Sequence, residues 1–473
     1  MSESTTTRTT VSQRLATWVH ELDASQVPPE VLHEAKLRIL DITGAMLGGR
    51  DTALVEQVRA ACFLPEQGSG TPVIGFGGST GVAAAALLQG TMGCVLEFDD
   101  SHVATGLHAS TPVVSAAVAK GQQKGLSGPA LIEAVLVGNE LTCRLGLAAP
   151  GMFHKAGFHP TGVLAVFGAS YALSRMVRAD ALQTANAAGI CGSLSSGIMA
   201  SWEDGTAAKS LHAGWAASSA LQALNFAAQG VSGPGVVYEG RFGFYKTHAQ
   251  APGYEFDYGA IEAELGQRWE VMNVAPRAYP CGHYIQPFID AALQLNATRP
   301  VAPDDIADVL CLVADYMVPL ICEPALEKTQ PATSWHARYS LPFCIAECFI
   351  AGSFTKHSLA LKDLTDARYA ALTRKVRYMV DPTATDRTQW SGEVRVTLKS
   401  GEEIRHRIDH MHGTPANPIT QDELIAKFFH NASGVLSQSQ SEQTVERLLA
   451  LDRADDIRTV FAPLCSAALG AKK

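Results

Sequence analysis

Apolar positions in the first half of the chain recur at helical spacing. Val11, Leu15, Trp18, Val19 and Leu22 share one face of a first predicted helix. Pro28-Pro29 opens a second, with Val31, Ala35, Ile39 and Ile42 in register before Gly48-Gly49 closes it. Ala83–Leu88, Ala130–Leu147, Gly162–Leu173, Asp180–Ala188 and Ser210–Gln229 continue the pattern, rich in the Ala and Gly that let helices approach closely. After Gly253 the period changes. Val309, Cys311 and Val313 alternate, as do Val376, Tyr378 and Val380, and Glu393–Leu398, Ser400-Gly401 and Glu403–Ile408 read as a hairpin. Helical patterns at Tyr284–Asn296 and Leu341–Ala351 separate these strands, and from Thr420 the helical period returns. The expected fold class is mainly α. A large all-helical domain is built from both chain ends, residues 1–269 and 409–473, with an inserted α+β domain over 270–408. The cleft between them is the expected ligand site.

Composition and charge narrow the function classes. Of 473 residues 47% are hydrophobic and 18% charged, with a net charge of -9 and no basic block. Nucleic acid and anionic membrane surfaces both demand a positive field, so neither is an expected partner. The ten cysteines lie mostly in apolar stretches without a CxxC pair, which reads as reduced, buried thiols in a cytoplasmic protein. The polar start MSESTTTRTT has no apolar run behind Arg8, so it is not read as a signal peptide. Gln89, Thr91, Gly138 and Asn139 break the apolar runs before a membrane span is complete. In Gly75–Gly81 the third glycine of a GxGxxG motif falls on Thr80, and a helix–helix connection is the better reading. There is no P-loop, HExxH or GxSxG motif. Chemistry is therefore expected from side chains.

Five short segments set ionisable residues beside Gly or Pro where the apolar period breaks. Glu97-Phe98-Asp99-Asp100-Ser101-His102, with His108 shortly after, puts acids and histidines behind an apolar helix; a solvated helix end is the plain alternative. His159 in Gly157-Phe158-His159-Pro160-Thr161-Gly162 stands at the mouth of a helix whose dipole favours an anion. Lys209 enters an apolar stretch, where it either snorkels outward or meets an anion. Arg277, near Tyr279 in the crossover between domains, is placed to clamp a carboxylate. Arg338 precedes a further apolar helix, where it either caps a neighbour or holds a ligand. Taken as one site, His108, His159, Lys209 and Arg277 supply donors, while Glu97 and Asp100 orient imidazoles or fix their tautomers. Such a site suits a small polycarboxylate losing a proton α to one carboxylate.

At these residues the chain resembles the MmgE/PrpD family of 2-methylcitrate dehydratases, cis-aconitate decarboxylases and iminodisuccinate epimerases. The most specific segments are Asp99-Asp100-Ser101-His102, Gly157–Gly162 and Lys209-Ser210-Leu211-His212-Ala213-Gly214, with Tyr279-Pro280-Cys281-Gly282 and Ser340-Leu341-Pro342-Phe343 adding to them. The resemblance implies a helical domain with a smaller lid, a homodimer, and a lyase working without metal or cofactor on a di- or tricarboxylate. An epimerase of an amino- or iminodicarboxylate is the runner-up, and a non-catalytic metabolite-binding relative is a third reading. It implies site roles for Glu97, Ser101, His108, His159 and Lys209. His108, His159 and Lys209 are the expected catalytic residues. Glu97, Asp100, Ser101, His102, Arg277, Tyr279 and Arg338 are expected to bind substrate. Two positions depart from the family pattern: Arg277 stands where many members have lysine, and Phe343 where they have tyrosine. Arginine is a clamp and a poor base, and the phenylalanine removes a phenol.

Overall fold

The computed structural model describes residues 9–62, 70–360 and 364–466. The protein is mainly helical, with one four-stranded mixed sheet toward its C-terminal part. Local sequence signals set several helix starts. Thr10 forms a capping box with Gln13 ahead of Val11–Glu21, Ser127 accepts from the Ala130 amide ahead of Gly128–Leu147, and Asp180 accepts from the Gln183 amide ahead of Ala181–Leu194.

The helix Pro160–Met176 occupies the centre, and every residue in it but Arg175 is buried. A helix surrounded on all sides has no polar face to show, which is why this stretch is Ala- and Gly-rich rather than amphipathic. Pro129 and Pro160 sit in the first turn of their helices, where a missing N–H costs nothing.

Small residues set the helix spacing around the site. A Cβ on Gly214 would lie 2.1 Å from the Leu87 carbonyl oxygen, and one on Gly90 would lie 2.5 Å from the Gly214 Cα. Helices Val82–Cys94 and His212–Ala228 therefore touch backbone to backbone. Glu97 follows the first helix and Lys209 precedes the second, so this contact fixes the distance between two site residues. Gly214→Ala is expected to destabilise the protein by about 1–3 kcal/mol, because a main-chain carbonyl in a packed helix cannot yield. A lowered thermal unfolding midpoint checks it.

One apolar core draws on residues from Val11 to Val274 and again from Leu424 to Leu464. A second is built from Val103 and from residues between Ala275 and Met411. The C-terminal helix Gln421–Ala432 returns to Pro29–Gly49, where Phe428 covers Gly44 and Lys427 pairs with Asp41 at 2.8 Å.

The sheet order is Val376–Val380, Ile306–Val313, Gly392–Leu398, Glu403–Ile408. Its first pair is parallel and the others antiparallel, with Cys311 opposite Tyr378 on one side and Val394 on the other. The predicted alternation shows as burial: Val309, Cys311, Val313, Val394 and Val396 all face the second core. Helices Gln286–Thr298 and Leu341–Ala351 pack against the sheet and each other.

The Gly75–Gly81 segment lies in the connection between helices Ala53–Cys62 and Val82–Cys94, as expected, and is closed by antiparallel pairing of Thr71-Pro72 with Ser79-Thr80. One detail differs from the sequence expectation. Lys209 lies on a 3-10 turn, Ala207–Leu211, and the helix begins only at His212. All ten cysteines are free, and Cys344 and Cys348 are packed in the second core. No helix among the described residues is long and apolar enough to cross a membrane.

Candidate active site

Three main-chain features bring the site together. The segment after helix Val82–Cys94 turns sharply at Glu97, which takes a left-handed conformation at φ 53°. A non-glycine residue there carries strain of about 1–3 kcal/mol that surrounding contacts must offset. Ser101-His102 then pairs antiparallel with Val274-Ala275, which tethers the loop beside the crossover that carries Arg277. His159 caps helix Pro160–Met176, and its amide donates to the Gly197 carbonyl at 2.8 Å.

A buried ionic cluster forms the floor. Lys209 Nζ donates to both Glu97 carboxylate oxygens at 2.6 and 2.7 Å and to the Tyr339 hydroxyl at 3.0 Å. Arg277 Nη1 reaches Glu97 at 3.2 Å and Asp99 at 3.0 Å, while Arg277 Nε donates to His283 Nδ1 at 2.7 Å. Burial pushes the Glu97 carboxyl up, but the charges of Lys209 and Arg277 outweigh it and hold it at about 2. For Asp99 burial dominates and, with the Glu97 charge, raises it even against Arg277. The lysine and arginine are thus fixed in place by acids that sit behind them.

Hydrogen-bond partners assign the imidazole tautomers. His108 Nδ1 lies 2.8 Å from the Asp100 carbonyl oxygen, which can only accept, so the proton is on Nδ1 and the lone pair on Nε2. Ser101 Oγ is 2.7 Å from the same nitrogen, and the His108 amide donates to Thr161 Oγ1 at 2.9 Å. Burial, then the charges of Arg277 and Lys209, keep His108 neutral and well below the usual histidine range. Arg277 Nη2 lies 3.3 Å from Nε2. His283 accepts from Arg277 at Nδ1, so its proton is on Nε2, a buried atom with no partner among the described residues. It is an unsatisfied donor waiting for an acceptor. His159 Nδ1 lies 3.1 Å from His212 Nδ1, and one of the two must carry the shared proton. Burial depresses both, His212 to about 4.

A base with a depressed pKa stays unprotonated as pH falls through the ordinary histidine range. The kcat/KM profile is therefore expected to run flat on lowering pH through about 6.5 and to decline only well below it. An acid limb centred at that value would contradict the assignment.

These groups open into a cavity of about 670 Å³ between the helical core and the α+β part. Ser101, His108, His159, Lys209, Arg277, His283 and Tyr339 all line it. Glu97 stands behind Lys209. Asp100 stands behind His108, which it holds through its main-chain carbonyl; its carboxylate accepts from the Ser110 amide, and burial raises it to about 6. His102, Tyr279 and Arg338 are not on the cavity wall. His102 is held by Thr105 at 2.8 Å and Glu270 at 3.1 Å, Tyr279 donates to Asp290 at 2.7 Å, and Arg338 donates to the Pro280 carbonyl. Phe343 stacks on Tyr369 in the second core, so the phenol at the site comes from Tyr339. Asp99, His212, His283 and Tyr339 join the site although the sequence did not single them out. Asp99 and His212 lie within marked segments and His283 and Tyr339 directly beside marked ones, but linear spacing does not say which neighbour turns inward. Among the described residues no group of three or more His, Cys, Asp or Glu side chains could hold a metal ion.

Comparison with known families decides the lineage. The MmgE/PrpD N-terminal domain matches residues 13–257, and the MmgE/PrpD C-terminal domain matches residues 279–451. The chain belongs to the MmgE/PrpD family. Its curated relatives include a cis-aconitate decarboxylase-like protein of Aspergillus oryzae, 25% identical over 96% of each chain. A cis-aconitate decarboxylase of Aspergillus terreus is 24% identical over 94% of each chain. The human cis-aconitate decarboxylase is 24% identical over 94% of this chain and 92% of its own. The family match spans both cores, and it takes in every residue of the ionic cluster except Arg277, which lies in the short stretch between the two matched regions.

Proposed function

We propose that this MmgE/PrpD protein is a lyase that acts on a small di- or tricarboxylate. The observation that carries the reading is the meeting, in one cavity, of a neutral imidazole presenting an Nε2 lone pair with two buried cations, Lys209 and Arg277. The cations hold carboxylates, and they also stabilise the charge that develops when a bond to the α-carbon is broken. In an elimination the α-proton goes to His108 Nε2, the electron pair passes into the carboxylate as an enediolate, and collapse expels the β-hydroxyl as it takes up a proton. In a decarboxylation the bond to carbon dioxide breaks with its electrons left on the substrate, and the carbon takes up one proton that solvent has first delivered to a cavity histidine. The relatives named as cis-aconitate decarboxylases support the second form. The His283 Nε2 donor and the Tyr339 hydroxyl are further contacts for substrate oxygens.

A second reading, epimerisation, is favoured by one feature: His108 and His159 both line the cavity, with ring centroids 5.7 Å apart, as a two-base mechanism requires. Product analysis by proton NMR after incubation with cis-aconitate, citrate, methylcitrate and a chiral aminodicarboxylate, with polarimetry of the last, separates these outcomes. Loss of carbon dioxide or water identifies the lyase, and racemisation identifies the epimerase. No change in any of them overturns both.

A further inference from the structure

The charged floor of the cavity accounts for one end of a substrate; its outer end carries a second, separate cation. Arg387 lines the same cavity from an exposed loop of the α+β part. Its guanidinium lies 4.8 Å over the Tyr316 ring, a cation–π contact that orients it without neutralising it. No ion pair or hydrogen bond among the described residues engages its side chain. Its neighbour Asp386 is turned instead to the amide and hydroxyl of Thr388, at 2.8 and 2.7 Å.

The wall between the two cations is a continuous run of rings. His283, at the inner cluster, packs on Trp390 at 4.9 Å; Trp390 meets Tyr284 edge-on at 5.6 Å; and Tyr284 meets Tyr316 edge-on at 5.7 Å. Arg387 caps the outer end of that run. The lining also includes Glu203, which makes no ion pair with Arg387. An aromatic wall with Arg277 beside one of its rings and Arg387 over another fits a molecule that carries more than one carboxylate. It does not fit a monocarboxylate, which would leave the outer cation unmatched.

We propose that Arg387 is a specificity-determining residue that binds the distal carboxylate of the substrate, while Lys209 and Arg277 hold the carboxylate at the reacting carbon. This rests on the polycarboxylate reading above and deepens it: the substrate class is one with a free carboxylate beyond the reacting centre. Arg387 makes no hydrogen bond to His108, His159 or His283 among the described residues, so it acts on binding and not on proton transfer.

The test uses tricarballylate, a saturated tricarboxylate, and its terminal monoamide as probes, with binding followed by calorimetry at low salt. Wild-type protein is expected to bind the triacid about tenfold or more tightly than the monoamide, the value of a charge-assisted contact. Arg387→Gln is expected to bind the two alike, and Arg387→Lys to regain part of the preference. With a turned-over polycarboxylate, Arg387→Gln raises KM and leaves kcat near wild type. A preference that survives in Arg387→Gln, or its absence in wild type, overturns the role of Arg387 alone. Wild-type protein that binds neither probe overturns the polycarboxylate reading with it. Circular dichroism of the exposed-loop variant confirms that its fold is intact.

Discussion

Replacing His108 by glutamine is expected to lower kcat by about 10²- to 10⁴-fold, the range that a positioned general base contributes. Glutamine can still offer an N–H to the Asp100 carbonyl that now holds Nδ1 at 2.8 Å, and it fills nearly the same space. What it lacks is a basic nitrogen at the position of Nε2, which lies 3.3 Å from Arg277 Nη2 beside the cavity. The His108 main-chain bond to Thr161 is untouched, so the thermal midpoint should stay close to wild type. The loss then reports the base and not the fold. Steady-state kinetics on the best polycarboxylate substrate make the measurement, and kcat within tenfold of wild type would remove His108 from the proton transfer.

The largest effect on stability is expected at Arg277. Its guanidinium serves Glu97, Asp99, His283 and His108 at once while only 1% exposed. Arg277→Met leaves Asp99 with the Thr111 hydroxyl, at 3.1 Å, as its one remaining side-chain donor among the described residues. Removing one member of a buried, hydrogen-bonded charge cluster costs about 3–5 kcal/mol, because the remaining charge stays desolvated. Denaturant unfolding measures that loss. Arg277→Lys keeps the charge and is expected to fold, but one ammonium cannot replace a planar fork that spans two carboxylates and two imidazoles. The lysine variant should therefore keep most of the stability and lose activity. Methionine variants as stable as wild type would mean that the cluster is not held by this arginine.

Much of this architecture was legible in the chain. The buried helices read as Ala/Gly-rich helical runs, and the sheet read as alternation at Val309–Val313 and the Glu393–Ile408 hairpin, where burial on one face imposes a period of two; the edge strand Val376–Val380 alternates in residue type, but only Val376 in it is buried. The polar clusters also stood out, since a charge in an apolar stretch must be matched by another. What the chain did not show was direction. Tyr279 and Arg338 lie in marked segments yet turn to Asp290 and Pro280, while their neighbours His283 and Tyr339 face the cavity. In irregular loops no periodicity fixes which side chain points inward; long-range contacts decide it. Asp100 was expected to orient an imidazole, but it holds His108 through its backbone carbonyl, a route that residue type does not encode. The Arg387 loop escaped notice because its exposed arginine looks like any solvated charge until Tyr316 is placed beneath it.

The central claim is that a neutral imidazole beside two buried cations exchanges a proton with a carbon α to a carboxylate. Incubating the purified protein in deuterium oxide with cis-aconitate, citrate and methylcitrate, and following deuterium at carbon by mass spectrometry, tests it most directly. Deuterium incorporation into substrate or product by wild-type protein, abolished in His108→Gln, is the predicted result. Undiminished incorporation in that variant, or none with any polycarboxylate in wild type, would contradict it.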